Sequence, residues 1–260
     1  MNGNLPPVTG GAREHGGANV TISFETKTER VPSAEAIKAL AATSMFGGLG
    51  PGVLADVAGS CVERKFGRGE YLCHQGRAGD WLFIVGSGLV KVVFASPSGD
   101  EFLLATRGPG EVLGEVAVLD GVPRSASVVA MKPTTAYFIS RSRLIALMRD
   151  HPSVLRDVLA ALGGLVRRLT EQTGELAFLD LGMRLARLLL RLAEDEIFSA
   201  GQPVVLDVGL TQSEIGTMIG ASRPAVNRAL QLLASQGAIE VNGRVITIKD
   251  LATLRASAMP

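Results

Sequence analysis

The chain has 260 residues, of which 47% are apolar and 20% charged, and this is typical of a soluble globular protein with one large domain or two ordinary ones. A net charge of +1 excludes a general polycation, and two cysteines outside a Cys-x-x-Cys pair exclude a disulfide framework and a cysteine-bound iron–sulfur cluster. The apolar stretches are too short to span a membrane and no signal segment opens the chain, so we expect a cytoplasmic protein without a membrane partner.

Residues 1–31 are rich in Gly, Pro, Thr and Asn without a sustained period, which predicts a disordered tail. Residues 32–150 begin with two short helical patterns and continue as brief strands separated by glycines. The clearest strands are predicted at 81–85, 89–94, 101–106, 127–131 and 135–139. Strands this short and closely spaced favour a small antiparallel roll over a parallel nucleotide-binding sheet.

A long helix is predicted over residues 151–180, because Pro152 suits a first helical turn and an apolar pattern follows it. Its apolar residues, interrupted once by a polar one, are separated alternately by three and four residues. They are Leu155, Val158, Leu162, Leu165, Leu169, Gln172, Leu176 and Leu179, with Gln172 as the polar exception. This spacing indicates either a coiled-coil seam between two copies or a helix packed on its own domain. Gly163 and Gly164 cost about 1 kcal/mol each relative to alanine, and close approach of a partner or a strand is one reason to carry them.

Residues 181–260 predict a winged helix-turn-helix, the form that enters a DNA groove. An amphipathic helix is predicted at 183–193. Thr211 and Glu214 have capping-box spacing at the start of a further helix, Gly220 ends that helix, and Ser222 is placed to cap the next one. Asn242-Gly243 between two apolar runs predicts the turn of a two-stranded wing.

Residues 114–127 indicate a site for a charged ribose-phosphate. A buried phosphodiester needs a cation, which Arg124 supplies, and N–H donors, which the following turn supplies. Glu115 suits a ribose hydroxyl, and Gly114 lets a sugar approach the backbone. The candidate residues are Gly114, Glu115, Val116, Arg124, Ser125 and Ala126. The alternative is a surface ion pair between Glu115 and Arg124, worth at most about 1 kcal/mol.

Residues 112–131, with Gly-Glu followed by Pro-Arg-Ser-Ala, closely resemble the phosphate-binding cassette of the cyclic-AMP receptor protein (Crp/Fnr) family of transcription regulators. The likeness continues through 167–169, 176–180, 184–186 and 210–248. The resemblance implies an α+β fold with an N-terminal cyclic-nucleotide-binding β-roll of double-stranded jelly-roll type, a long dimerisation helix and a C-terminal winged helix-turn-helix. It also implies a homodimer that binds near-palindromic double-stranded DNA and contacts RNA polymerase.

The resemblance assigns roles to the site residues. Gly114 and Glu115 would contact the ribose, and the turn that begins at Arg124 would contact the cyclic phosphate. The base would meet Leu169 and Thr170, where the family commonly has two polar residues. Because Leu169 is apolar, the choice of base stays open; cyclic AMP is the favoured effector and cyclic GMP the alternative. No metal is expected, since the histidines show no zinc-ligand spacing.

The second helix of the helix-turn-helix carries the candidate base-reading residues. Arg223 can bond guanine O6 and N7 together, which contributes roughly 1 to 3 kcal/mol of discrimination, and Asn227 lies one turn later. Pro224 stands where the family often has a base-reading glutamate and cannot read cytosine. The candidate DNA contacts are Thr211, Gln212, Ser213, Ser222, Arg223, Pro224, Asn227 and Arg228. The alternative is a basic helix that contacts only phosphates.

The leading interpretation is a cyclic-nucleotide-responsive homodimeric transcription regulator, in which effector binding in the roll repositions the recognition helices. A first alternative is a regulator of the same fold that is ligand-independent or differently triggered and keeps a vestigial pocket. An enzyme is not expected, because no general base lies beside a nucleophile and no metal set accompanies the phosphate site.

Overall fold

The computed structural model describes residues 33–97, 101–193, 203–206 and 209–259. The tail predicted at 1–31 lies outside the described residues. The described chain begins with two helices, α1 (Ala34–Ala41) and α2 (Pro51–Gly59). The Ser33 hydroxyl caps α1 by accepting the Ala36 N–H at 3.0 Å. The two short helical patterns expected at this point are confirmed.

Short antiparallel strands follow and form two sheets, with orders β1-β8-β3-β6 and β2-β7-β4-β5. The strands β1 to β8 span Val62–Phe66, Tyr71–Cys73, Trp81–Ser87, Val90–Ala95, Glu101–Arg107, Val112–Leu113, Ser127–Ala130 and Thr134–Ser140. Helix α3 (Glu115–Asp120) lies between β6 and β7, and α4 (Arg141–Asp150) follows β8. The antiparallel roll is confirmed, whereas the sequence pattern did not predict β1, β2, β6, α3 or α4.

Strand β3 forms the centre of the roll because both of its faces are buried. Successive side chains of a strand point to opposite faces. Leu82 and Ile84 pack in a cluster with the helices, and Phe83 and Val85 pack between the sheets. The ring centroid of Phe83 lies 5.3 Å from that of Phe138 on β8. The roll therefore has a buried apolar cluster on each side of β3.

Helix α5 (Pro152–Phe178) has two different apolar faces. Val154 and Val158 are buried against the roll, and Ala161 packs beside them. Val158 was expected on the coiled-coil seam, and this placement is wrong because its side chain belongs to the core of its own roll. The groups nearest Gly163 and Gly164 are the guanidinium groups of the arginines one turn later, rather than a strand.

The C-terminal unit contains a helix-turn-helix and a wing. Its elements are α6 (Leu181–Ala193), β9 (Val204–Leu206), α7 (Gln212–Ile219), α8 (Arg223–Ser235), β10 (Ile239–Asn242), β11 (Val245–Ile248) and α9 (Leu251–Ala256). The wing sheet has the order β10-β11-β9, so it includes a third strand that was not expected. Asn242 pairs with Val245, and the turn is therefore Gly243-Arg244, one residue later than predicted. None of the described helices is both long and apolar enough to span a membrane.

Candidate effector pocket and nucleic-acid interface

Gly114 joins β6 to α3 and has a positive φ of 83°. This left-handed conformation strongly favours glycine. A Cβ at this position would also overlap the Arg124 guanidinium and lie 3.1 Å from the Trp81 carbonyl oxygen. Two independent constraints therefore require glycine where the sequence predicted close approach of a sugar.

Arg124 lies inside the roll with 7% of its surface exposed. Its Nη1 donates to the Gly114 carbonyl at 2.9 Å, and its Nη2 donates to the Trp81 carbonyl. Its Nε is buried without a hydrogen-bond partner in the described part of the chain. Burial lowers the pKa of Arg124, and the nearby Cys73, Glu115 and Asp80 oppose that effect. Because Arg124 is buried and bonds carbonyls, the surface ion pair with Glu115 is wrong.

The Arg124 backbone is fixed against the loop that follows β2. Its N–H donates to the Arg77 carbonyl at 2.8 Å, and its carbonyl accepts the Gly76 N–H at 2.8 Å. The Ser127 hydroxyl accepts the Gln75 N–H at 2.9 Å. These hydrogen bonds on either side of the turn fix the path of its backbone. Within the turn, Ser125 is exposed and Ala126 is half-buried.

Glu115 is the first residue of α3 and is half-buried. Burial raises the pKa of this carboxyl group, while its own backbone N–H and the guanidinium groups of Arg107, Arg168 and Arg124 act in the opposite direction. Val116 beside it is 40% exposed. Glu115 therefore lies among arginines from β5, from α5 and from the turn at 124.

The structure does not place Thr170 against the pocket of its own chain. At about 100° per residue, Thr170 lies roughly 160° around α5 from Val154, which packs on the roll. Thr170 is exposed, and its hydroxyl donates to the Val166 carbonyl at 3.0 Å. Leu169 is also exposed, with 53% of its surface accessible.

Sequence reasoning missed Arg107 and Arg168, the other two arginines that act on Glu115. Arg168 lies on the same face of α5 as Val154 and Val158, which pack against the roll. Positions 154, 158, 161, 165 and 168 are separated alternately by four and three residues, which is the spacing of one helix face. That alternation was readable in the sequence. The position of Arg107 depends on how β5 lies beside α3, which no local pattern indicates.

The helix-turn-helix forms as predicted at its first helix. The Thr211 hydroxyl accepts the Glu214 N–H at 3.2 Å, and the Glu214 carboxylate accepts the Thr211 N–H at 2.9 Å, so the capping box is present. Gly220 ends α7 with a positive φ of 66°. Ser222 occupies the N-cap position of α8, but its side chain makes no capping hydrogen bond, which contradicts its predicted capping role.

Helix α8 presents a polar face to solvent. Val226, Leu230 and Leu233 are buried in the core of the C-terminal unit. The exposed candidates are Ser213, Ser222, Arg223, Pro224 and Arg228, and the half-buried ones are Thr211, Gln212 and Asn227. The Asn227 amide donates to Gln212 Oε1 at 3.2 Å, which joins the two helices across the turn. The arrangement presents arginine and amide groups beside a helix N-terminus, a combination suited to DNA phosphates and base edges.

Both parts of the chain match known families. Residues 63–151 match the cyclic nucleotide-binding domain, and residues 183–257 match the Crp-like helix-turn-helix domain. The fold and these two matches together define a DNA-binding transcription regulator that carries a cyclic nucleotide-binding domain.

Relatives that resemble the chain over most of its length identify the family. A CRP-like cAMP-activated global transcriptional regulator of Mycobacterium tuberculosis is 33% identical over 81% of this chain and 94% of its own. The cyclic AMP receptor protein of Thermus thermophilus is 31% identical over 82% and 96%. The solved structure of the c-di-GMP-responsive regulator CLP of Xanthomonas campestris shares the fold, with a TM-score of 0.67 at 23% identity over 77% and 100%. The chain therefore belongs to the Crp/Fnr family of transcription regulators.

Proposed function

We propose that this protein is a homodimer in which a cyclic nucleotide, bound in the roll, repositions the two α8 helices on a near-palindromic DNA site. The observation that carries the proposal is the buried Arg124, whose Nε has no partner in the described chain. A buried N–H without an acceptor is costly, and a phosphate oxygen is the acceptor that the site would take. Cyclic AMP is the favoured effector because relatives at 31% and 33% identity are named for it; cyclic GMP is the alternative.

The pocket residues bind two different parts of the nucleotide, the charged cyclic phosphate and the polar ribose. Arg124 neutralises the cyclic phosphate, with the backbone N–H groups of Ser125 and Ala126 as further donors. Glu115 accepts a ribose hydroxyl, and Gly114 brings its backbone beside the sugar, while its missing side chain leaves room for the Arg124 guanidinium. Val116 lines the same turn of α3.

A second copy of the chain would cover the exposed face of α5. Its residues follow one another at alternate spacings of four and three: Leu155, Leu159, Leu162, Val166, Leu169, Thr173 and Leu176. Most of the large side chains among them are 43% to 63% exposed. This is the spacing of a coiled-coil seam. It shares Leu155, Leu162, Leu169 and Leu176 with the predicted seam, but Leu159, Val166 and Thr173 take the places of Val158, Leu165 and Gln172. The last predicted position, Leu179, lies just after the end of α5. Thr170 lies beside this seam, away from its own roll, so we assign Thr170 of each copy to the pocket of the other.

The DNA contacts follow from the exposed face of α8 and the start of α7. We assign base reading to Arg223 and Asn227, and phosphate binding to Arg228, Ser222, Thr211, Gln212 and Ser213. Pro224 fixes the first turn and reads no base. The two-fold axis of the dimer would place the α8 helices in successive major-groove faces of the duplex, which are one helical turn, about 34 Å, apart. RNA polymerase is the further partner of such a regulator, and the cytoplasm its compartment.

Isothermal titration calorimetry with cyclic AMP and with cyclic GMP tests the proposal. We expect the wild-type dimer to bind at least one of them and Arg124→Leu to lose at least about 100-fold in affinity, since a charge-assisted pair to phosphate is removed. Arg68→Leu, which changes an exposed arginine outside the pocket, is the matched control. No heat with either nucleotide from a folded dimer would favour the alternative of a differently triggered regulator.

A further inference from the structure

Two amide side chains meet across the turn of the helix-turn-helix. Gln212 is the first residue of α7, Asn227 lies one turn after the start of α8, and both are half-buried. Asn227 Nδ2 donates to Gln212 Oε1 at 3.2 Å. Arg223 and Arg228 on the same helix are exposed. Asn227 is therefore a candidate base reader whose side chain is held by a neighbouring side chain.

The packing of α7 on α8 does not depend on this hydrogen bond. The buried apolar residues of the two helices include Ile215, Ile219, Val226 and Leu230. A Cβ added at Gly216 would lie 3.4 Å from Val226 Cγ2, so the two helices are in close contact there. A hydrogen bond between two neutral, half-buried amides contributes little beside such a core, about 1 kcal/mol. Its main effect is therefore on the orientation of the Asn227 amide and not on the fold.

The hydrogen bond fixes which end of the Asn227 amide points toward α7. The last torsion of an asparagine side chain is broad, so a free amide can present either its oxygen or its nitrogen to a partner. Gln212 Oε1 is an acceptor, and it therefore holds the Nδ2 end of Asn227. Asn227 keeps its second N–H and its Oδ1 for a base. Gln212 keeps its own N–H groups for a DNA phosphate.

An amide of fixed orientation distinguishes adenine from guanine in the major groove. Adenine presents the N6 donor beside the N7 acceptor, whereas guanine presents two acceptors, O6 and N7. The Oδ1 and N–H of Asn227 together match the adenine edge. Against guanine, Oδ1 would face O6, which is another acceptor. An amide that rotates freely could turn its nitrogen toward O6 instead, and it would lose this discrimination.

We propose that Gln212 is a positioning residue, which orients Asn227 to accept adenine and reject guanine in each half-site. The inference rests on the DNA contacts of the proposed function, and it adds the base that Asn227 reads and the residue that sets this choice. Asn227 lies four residues after Arg223, about 6 Å along the helix axis. Because base pairs are about 3.4 Å apart, this adenine lies within about two base pairs of the guanine that Arg223 reads.

Equilibrium binding to DNA tests the positioning role. The full-length protein is used at one salt concentration, with cyclic AMP, cyclic GMP or no nucleotide, whichever gives the tightest binding by the wild-type chain. A duplex selected with the wild-type chain is then varied at each base pair of the half-site. The position whose preference is lost in Asn227→Ala is the one that Asn227 reads. We expect the wild-type chain to prefer adenine over guanine there at least about 10-fold, and Gln212→Leu to reduce this ratio below about 3-fold with the other positions unchanged.

Three further variants separate positioning from a phosphate contact or a folding defect. Gln212→Glu keeps an acceptor for Asn227, so we expect it to keep the adenine-to-guanine ratio, although its negative charge weakens binding to every sequence. Ser213→Ala, at the next position of α7, is expected to weaken binding to all sequences alike, as the loss of a phosphate contact does. Gln236→Leu makes the same change at an exposed residue after the end of α8, and leaves both affinity and ratio unchanged.

The double variant checks that Gln212 acts through Asn227. If it does, adding Gln212→Leu to Asn227→Ala leaves the adenine-to-guanine ratio of Asn227→Ala unchanged. A Gln212→Leu protein with the thermal stability of the wild type, weaker binding to all sequences alike and the wild-type ratio would overturn the inference and leave the proposed function standing. A preference for another base at the Asn227 position overturns it in the same way. If Asn227→Ala changes no base preference, the base reading assigned to Asn227 in the proposed function is wrong, and the inference is wrong with it.

Discussion

At the scale of single residues, the candidate effector site contains one glycine and one arginine that fit each other. Gly114 has a backbone conformation that side chains avoid, and the space where its Cβ would stand is filled by the Arg124 guanidinium. The sequence indicated both residues, because a cation and a close backbone approach are what a ribose-phosphate needs. It did not indicate that the two are in direct contact, since that depends on the path of the chain between them.

Gly114→Ala therefore tests the fit. Positive φ and overlap with Arg124 both oppose a methyl group, so we expect a loss of about 1 to 3 kcal/mol of stability and nucleotide affinity at least 10-fold weaker. Gly52→Ala is the control, because Gly52 lies within helix α2 with nothing within 4 Å of the added Cβ. Thermal unfolding and calorimetry check the result, and a Gly114→Ala protein with wild-type affinity contradicts this account of the pocket.

At the scale of elements, α7 shows how a local motif gains a second use from tertiary structure. Thr211 and Glu214 form the capping box that their spacing predicted. One carboxylate oxygen of Glu214 serves the cap, and the other lies 3.0 Å from Lys91. Burial by itself would raise the pKa of Glu214, but hydrogen bonds from Thr211 and Lys91 outweigh it and hold this pKa below the ordinary value. The charged form of Glu214 is therefore favoured by folding.

Glu214→Gln tests that coupling of charge to folding. A group with a lowered pKa stabilises the folded state at pH values above its unfolded pKa, and this contribution is lost as the pH falls through the folded pKa. We expect Glu214→Gln to lower the free energy of unfolding at pH 7 by at most about 1 kcal/mol, and the difference from wild type to shrink in acid. Urea denaturation measures it, with Glu240→Gln, from an exposed pair with Lys249, as the control. A difference that grows in acid contradicts the assignment.

At the scale of the whole molecule, α5 has one face for its own roll and one that is left to solvent. Val154 and Val158 are buried, whereas Leu159 and Val166 are 59% and 63% exposed. Heptad spacing alone could not separate these faces, because residues at both three and four positions apart are neighbours on a helix. The roll decides which stripe it covers, and the remaining stripe is the one we propose for the second copy.

Val166→Glu tests the seam. A carboxylate at the centre of a two-fold interface would meet its own copy across the axis, and burial of two like charges is strongly unfavourable. We expect the variant to be a folded monomer with specific DNA affinity reduced at least 100-fold. Sedimentation equilibrium measures the mass, and Ile145→Glu on the exposed side of α4 is the control. A dimeric Val166→Glu protein would place the seam elsewhere.

Local patterns in the sequence predicted the antiparallel roll and the helix-turn-helix, because caps and turns act over a few residues. The resemblance of residues 112–131 to the family's cassette, together with the charge that a phosphate needs, indicated the candidate site at 114–126. Tertiary structure alone decided which face of α5 meets the roll, the third strand of the wing and the contact between the β4–β5 hairpin and α7. Each of these brings together segments that are distant along the chain, such as those of Lys91 and Glu214. A short-range sequence pattern does not predict which of many compatible protein surfaces will pack against each other. The packing is instead determined by which apolar side chains, such as Val93 and Leu103, become buried in the folded chain.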